Sequence, residues 1–246
     1  MLEDLILFIA VGFAAQMIDG AAGMAYGVSA TTVLLSFGVP PATASATVHA
    51  AEVFTTGASG LSHWRLKNVR FDLMWKLAIP GAVGGAIGAF LLASIDAGLI
   101  RPFVSAYLLI MGAVILAKAL RGYAAPKRVE KFIAPLGFVG GLLDAMGGGG
   151  WGPIVASNLL GRGETPRTAI GSVNLAEFFV TLVISAMFVA TIGLDLWPMI
   201  AGLIIGGVIA APLAAYVAKI APARALLAVV GGVVILLSLR DIVRAF

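Results

Sequence analysis

The chain has 246 residues, 61% of them hydrophobic and only 11% charged, with a mean hydropathy of +1.06. A soluble domain does not tolerate that composition, so an integral membrane protein is expected. The net charge of +4 lies in short segments between apolar stretches and is no sign of nucleic-acid binding; the absence of cysteine excludes disulfides, thiolate metal sites and cysteine nucleophiles.

The apolar stretches have helix length rather than the alternating ten-residue pattern of barrel strands, so backbone hydrogen bonds must close within helices. The fold class expected is an all-α polytopic membrane protein. The start, MLEDLILF, lacks the basic residues and small-residue cleavage site of a signal peptide, so the first apolar segment is expected to stay in the mature chain. That segment, about 4–18, runs into the break DGAAGMAYG (19–27), and a second arm of about 27–37 leaves it. Pro41 then opens a helix over 41–61, at a first-turn position where its missing N–H costs nothing, and spans over 73–95 and 99–120 follow.

After a short polar stretch the same series recurs. An arm of 132–143 meets DAMGGGGWG (144–152), an arm of 152–160 leaves it, Pro166 opens a helix over 166–191, and spans over 196–218 and 223–243 end the chain. Sliding the chain against itself by 125 positions aligns 19–56 with 144–181 without a gap, and 14 of the 38 pairs are identical. Apolar bias would match several Leu, Val and Ala, but not the paired Asp19/Asp144, Pro41/Pro166, Glu52/Glu177 and Thr56/Thr181. The domain organisation read from this is a first membrane repeat over 1–122, a cytoplasmic linker over 123–128 and a second membrane repeat over 129–246.

Arms of 10 to 15 residues around each break are short for about 30 Å of hydrocarbon, so each pair is expected to enter and return as a hairpin with its tip near mid-membrane. Of the 16 Lys and Arg, 13 fall in four segments, which placed together on the cytoplasmic side satisfy the positive-inside rule. Three full crossings then separate Pro41 from Pro166, which makes the halves inverted repeats, each a broken-helix hairpin followed by three transmembrane helices. Were the segment 132–160 to cross once instead, the repeats would be parallel.

Carboxylates at membrane depth are costly and need a reason. Asp19 and Asp144 stand at the breaks, where each either caps freed backbone N–H groups or touches a ligand. Glu52 and Glu177 lie well inside their helices. On the first of these helices His49 is three residues from Glu52 and shares a face with Ser45 and Thr56; the second offers Asn174, Glu177 and Thr181. Helices starting after Gly27 and Gly152 point N–H groups and a positive dipole end at the hairpin tips, a setting for an anion. The plainer alternative is that the glycines only permit close helix packing, as is expected for PGAVGGAIG (80–88) and GLIIGG (202–207).

The two breaks, each followed by a proline-led helix carrying H-A-A-E-V-F or N-L-A-E-F-F, resemble the TauE/SafE family of membrane permeases through nearly the whole chain. The resemblance implies transport of sulfite or a related organosulfur anion across the bacterial plasma membrane, with no enzyme activity, cofactor or metal. The substrate would be held by backbone N–H groups near Gly23, Gly27, Gly148, Gly149 and Gly152, with donors from Thr47, His49, Ser172 and Asn174. Glu52, Glu177 or His49, the last of a residue type that titrates near neutral pH, would carry a coupled proton. Expected partners are a small anion and the lipid bilayer, with a homodimer left open. A cation carrier using the carboxylates, or an anion channel, is the alternative.

Overall fold

The computed structural model describes residues 2–22, 25–121, 132–162, 164–193, 197–220 and 223–245, and the expected linker at 123–128 lies outside them. The described residues are helical with no strand. In the first half these are α1 (Leu2–Ala22), α2 (Tyr26–Ser36), α3 (Pro41–Arg65), α4 (Phe71–Ser94) and α5 (Ala97–Arg121). The second half has α6 (Ile133–Gly147), a π-helical turn (Gly152–Ala156) running into α7 (Ser157–Gly161), then α8 (Pro166–Ile192), α9 (Trp197–Ile220) and α10 (Ala223–Ala245).

Both first arms run farther than expected. Alanine is the best helix former and a single interior glycine is tolerated, so α1 continues through Asp19 and Gly20 to Ala22. In the same way α6 carries past Asp144 to Gly147. The breaks follow, and in each the backbone turns at a left-handed or otherwise positive-φ residue: Ala25 at φ 106° and, 125 positions on, Gly150 at φ 146°.

Phe71–Ser94, Ala97–Leu120 and Thr168–Ile192 are each long and apolar enough to cross a membrane. Their outward faces carry large apolar side chains; on α4 Ile79, Val83, Ile87 and Phe90 recur every three or four residues and are all exposed. Polar side chains go inward instead, with Ser45, Thr47, His49, Glu52, Asp144 and Ser172 all buried. A bundle that shows hydrocarbon to its surroundings and keeps carboxyl groups inside is arranged for a lipid solvent.

The halves are interleaved. α1 packs along α9 and α4 along α6, while α3 packs on α8 and α5 on α10. Close packing is possible because these faces are glycine-lined: a methyl group on Gly141 of α6 would collide with the Gly81 carbonyl of α4, and one on Gly206 of α9 with the Ile9 carbonyl of α1. The helices α3 and α8 run antiparallel, since Gly57 meets Phe178 where Gly60 meets Leu175.

Candidate functional site

The breaks meet near the centre of the bundle. A Cβ on Gly27 would come to 2.7 Å from Cα of Gly149 and 2.9 Å from Oε1 of Glu52. The tips are therefore in backbone contact, and no ligand fits between Gly27 and Gly149 in this state. Gly148 is held from the side by Thr31, whose hydroxyl donates to its carbonyl, and Gly149 by the Tyr107 hydroxyl at 2.9 Å.

Each break carries the same cap. Asp19 Oδ1 accepts from the backbone N–H of Tyr26 at 3.4 Å, and Asp144 Oδ1 from that of Trp151 at 2.9 Å, seven residues on in both cases. The N–H of Gly149 donates to the Asp144 carbonyl at 2.9 Å, and the Glu52 carboxyl faces the Gly27 backbone. Donors that the helix starts would offer an anion are thus engaged by the chain's own oxygens.

The second carboxylate does more than cap. α3 presents Ser45, His49, Glu52 and Thr56 on one buried face, the face turned to the tips. His49 Nδ1 lies 2.8 Å from the Ser45 carbonyl oxygen, which can only accept, so Nδ1 carries a hydrogen. The Ser45 hydroxyl spends its own hydrogen on the Ala145 carbonyl at 2.7 Å. His49 Nε2 faces Asp144 Oδ2 at 3.1 Å, and that contact requires one further proton, held as imidazolium with carboxylate or as imidazole with carboxylic acid. Beside it Glu52 Oε2 has no hydrogen-bond partner and lies 4.0 Å from Nε2. The repeat-related position holds Asn174, whose amide donates to Ser59 at 2.8 Å, so the pair that His49 makes with Asp144 has no counterpart between Asn174 and Asp19.

A void of about 20 Å³ at the tips is lined by Gly27, Glu52, Gly150, Gly152, Asn174 and Glu177 among others, which is room for one water-sized group. Adjoining it, a polar cavity of about 130 Å³ extends toward the Arg65 end of α3 past Asp19, Thr56, Ser59, Asn174 and Glu177 to His63. The four carboxyl groups lie within electrostatic reach of one another, Glu52 of Asp144, Glu177 and Asp19, and Glu177 of Asp144 and Asp19.

Of the residues singled out from sequence, Gly27, His49, Glu52, Asp144, Gly148 and Gly149 meet at the tips, and Asp19, Gly152, Asn174 and Glu177 line the cavities. Thr47 instead bonds its own helix at the Thr43 carbonyl, and the Ser172 hydroxyl accepts from the N–H of Arg70 at the start of α4. Gly23 lies outside the described residues. Sequence reasoning missed Tyr107 and Lys118 of α5, the latter donating to the Pro153 carbonyl at 2.7 Å and to the Ser157 hydroxyl. Their spacing of 11 residues, three helical turns, was the available signal.

An apolar-faced helical bundle with two capped breaks and a carboxylate-lined polar cavity defines the class, a helical membrane transporter. The chain matches the family model of the sulfite exporter TauE/SafE over residues 8–240, and it belongs to that family. It is also 39% identical over 252 aligned positions, 98% of this chain and 84% of the relative, to the probable membrane transporter protein YtnM of Bacillus subtilis (strain 168). No solved structure matches it.

Proposed function

We propose that the chain is a secondary transporter of the bacterial plasma membrane that moves a small sulfur oxyanion, sulfite or an organosulfonate, by proton-coupled alternating access. The observation that carries this reading is the His49–Asp144 pair, with its one shared proton, beside Glu52, whose Oε2 is unpartnered and whose side chain lines the small void adjoining the polar cavity. By the measure in which a water needs roughly 10–15 Å³, that cavity takes several water-sized groups, enough for the four heavy atoms of sulfite. An anion arriving among four carboxyl groups in a low dielectric needs compensating charge, which the imidazole and protons on the carboxyl groups supply. Protonating Glu52 weakens its hold on the Gly27 N–H and frees that donor, so proton arrival and anion binding become one event.

The way repeat-related helices pack supports alternating access. Shifted by 125, α1 with α9 becomes α6 with α4, and the pairs α3 with α8 and α5 with α10 map onto themselves. Antiparallel packing of α3 on α8 is what a two-fold axis in the membrane plane requires.

The test is uptake of labelled sulfite by proteoliposomes with and without a pH gradient, for the native chain and Glu177→Gln. Native uptake should saturate and rise with the gradient, and Glu177→Gln should lower it and flatten the response. Gradient-independent uptake in both would remove proton coupling, and no sulfite uptake by the native chain would remove the substrate. The carboxyl cluster favours a cation carrier as the second reading, which uptake of a labelled cation in the same vesicles would reveal.

A further inference from the structure

The 125-residue interval that relates the halves also gives the open cavity a counterpart, and the counterpart is sealed. Asp19 and Asn174, which face the open cavity, correspond to Asp144 and His49, which are 1% and 0% exposed. Farther along, Thr55, Ser59 and His63 of α3 correspond to Val180, Ile184 and Phe188 of α8, none more than 1% exposed. Polar residues line one side, and apolar residues plug the other.

Packing explains why only one side is open. On the sealed side α8 is pressed on α4: Cβ positions built on Gly81 and Gly85 stand 2.9 Å from Val180 and 2.7 Å from Ile184, and the Phe188 ring lies 6.4 Å from that of His49. On the open side the helices related to these, α3 and α9, fit more loosely, with a Cβ on Gly207 at 3.3 Å from the Thr55 methyl. A methyl group at Gly81 or Gly85 would collide, so α8 sits as close to α4 as glycine allows, whereas one at Gly207 would nearly fit, which leaves α3 space to settle on α9.

We propose that the sealed set is a second vestibule for the same oxyanion, facing the outer side, with Ile184 and Phe188 as its gate, and that this structure is the state open toward the Arg65 end of α3. The outer vestibule opens when α8 leaves the glycine face of α4 and α3 settles on α9. Its chemistry differs from the inner one, because the anion meets the imidazole of His49 where the inner vestibule offers the carboxamide of Asn174. This inference rests on the inverted-repeat transporter reading above.

The chain has no cysteine, so introduced thiols report access and locking without background. The pair Gly85→Cys with Ile184→Cys places two thiols across the gate, the smaller side chain at 184 making space for the new one at 85. Oxidising this pair in proteoliposomes is expected to cut sulfite uptake at least tenfold, and reductant to restore it. Complete cross-linking with uptake unchanged within twofold would overturn the gate. Absence of uptake already in the reduced pair would sink the substrate reading instead, and the gate is then decided by a second measurement that needs no transport. An impermeant thiol reagent in oriented vesicles should reach Ser59→Cys from the Arg65 side alone and leave Ile184→Cys unlabelled. Adding Gly85→Leu, a wedge between α4 and α8, should raise outer-side labelling of Ile184→Cys at least tenfold and lower that of Ser59→Cys in the partner variant. Labelling of Ile184→Cys that ignores the wedge, in protein that still runs as a folded peak in detergent, would rule the vestibule out.

Discussion

Asp19 and Asp144 were legible as carboxylates at breaks, but their sequence left capping and ligand contact open. The structure assigns capping to both, because each Oδ1 takes the N–H seven residues on. Asp144 has a second oxygen on His49, a long-range pairing across 95 residues that no local pattern encodes. Replacing Asp144 by Asn keeps an acceptor for the Trp151 N–H and offers an amide to a neutral His49, while removing the shared proton. Asp144→Asn is therefore expected to melt near the native temperature yet lose most gradient-driven uptake, whereas Asp144→Ala also loses the cap, at a cost of about 1–2 kcal/mol. Equal melting of the two variants would show that the cap contributes nothing. Ala25 is the other informative position. It sits at φ 106° where its repeat counterpart is Gly150, and an L-residue there costs about 1–2 kcal/mol, partly offset by the entropy glycine gains when unfolded. Ala25→Gly should stabilise by about 0.5–1 kcal/mol, read as a higher melting temperature in detergent; a lower one would mean the methyl group packs better than it strains.

Helices themselves were the most readable level. The proline-started α3 and α8 begin at Pro41 and Pro166 as expected, because proline at a first turn is a local rule. The arms α1 and α6 were read short, since Asp-Gly and Asp-Ala looked like stops, and yet a helix ends where its backbone turns rather than where its first carboxylate stands. α5 was misjudged for a different reason. Its functional side chains, Tyr107 and Lys118, correspond to Gly232 and Val243 in the repeat, so a search for paired residues passed over them. Yet α5 locks the second hairpin, through Tyr107 on the Gly149 carbonyl and Lys118 on that of Pro153. The tip it locks allows no side chain: a methyl group on Gly149, which sits at φ 145°, would collide with the backbone at Gly27 and Val28. Strain and overpacking together put Gly149→Ala at roughly 2–5 kcal/mol of destabilisation. Gly38→Ala is the control, with a positive φ but nothing within 4 Å of its Cβ, so it pays the strain alone. Thermal unfolding should rank native, Gly38→Ala, Gly149→Ala, and a reversal of the last two would mean the tips do not touch.

At the scale of the molecule, the sequence carried the repeat but not how the halves interlock. Pairing α1 with α9 and α4 with α6 puts the broken arm of each half against the fourth helix of the other, a long-range arrangement that only glycine faces such as Gly81, Gly141 and Gly206 hinted at. Directions along these contacts constrain topology. α4 and α6 run parallel, as Gly84 meets Phe138 and Gly88 meets Leu142, while α5 and α10 run antiparallel, as Gly112 meets Val234 where Gly231 meets Leu116. If both hairpins enter and return, they add no crossing; α2 packs back along α1, with Phe37 and Leu7 lining one cavity. On that reading six crossings remain, α3 to α5 and α8 to α10, and an even number would return the C-terminus to the side of the N-terminus. With the basic segments inside, the same reading puts both ends outside. Alkaline phosphatase fused after Phe246 should accordingly be active in bacteria and a green fluorescent protein there dark, with the reverse for fusions within 122–131. Fluorescence at the C-terminus with 122–131 also cytoplasmic would require an odd number of crossings, which happens if one hairpin passes through the membrane; α3 and α8 would then enter from the same side, and neither their antiparallel packing nor a two-fold gate could be kept.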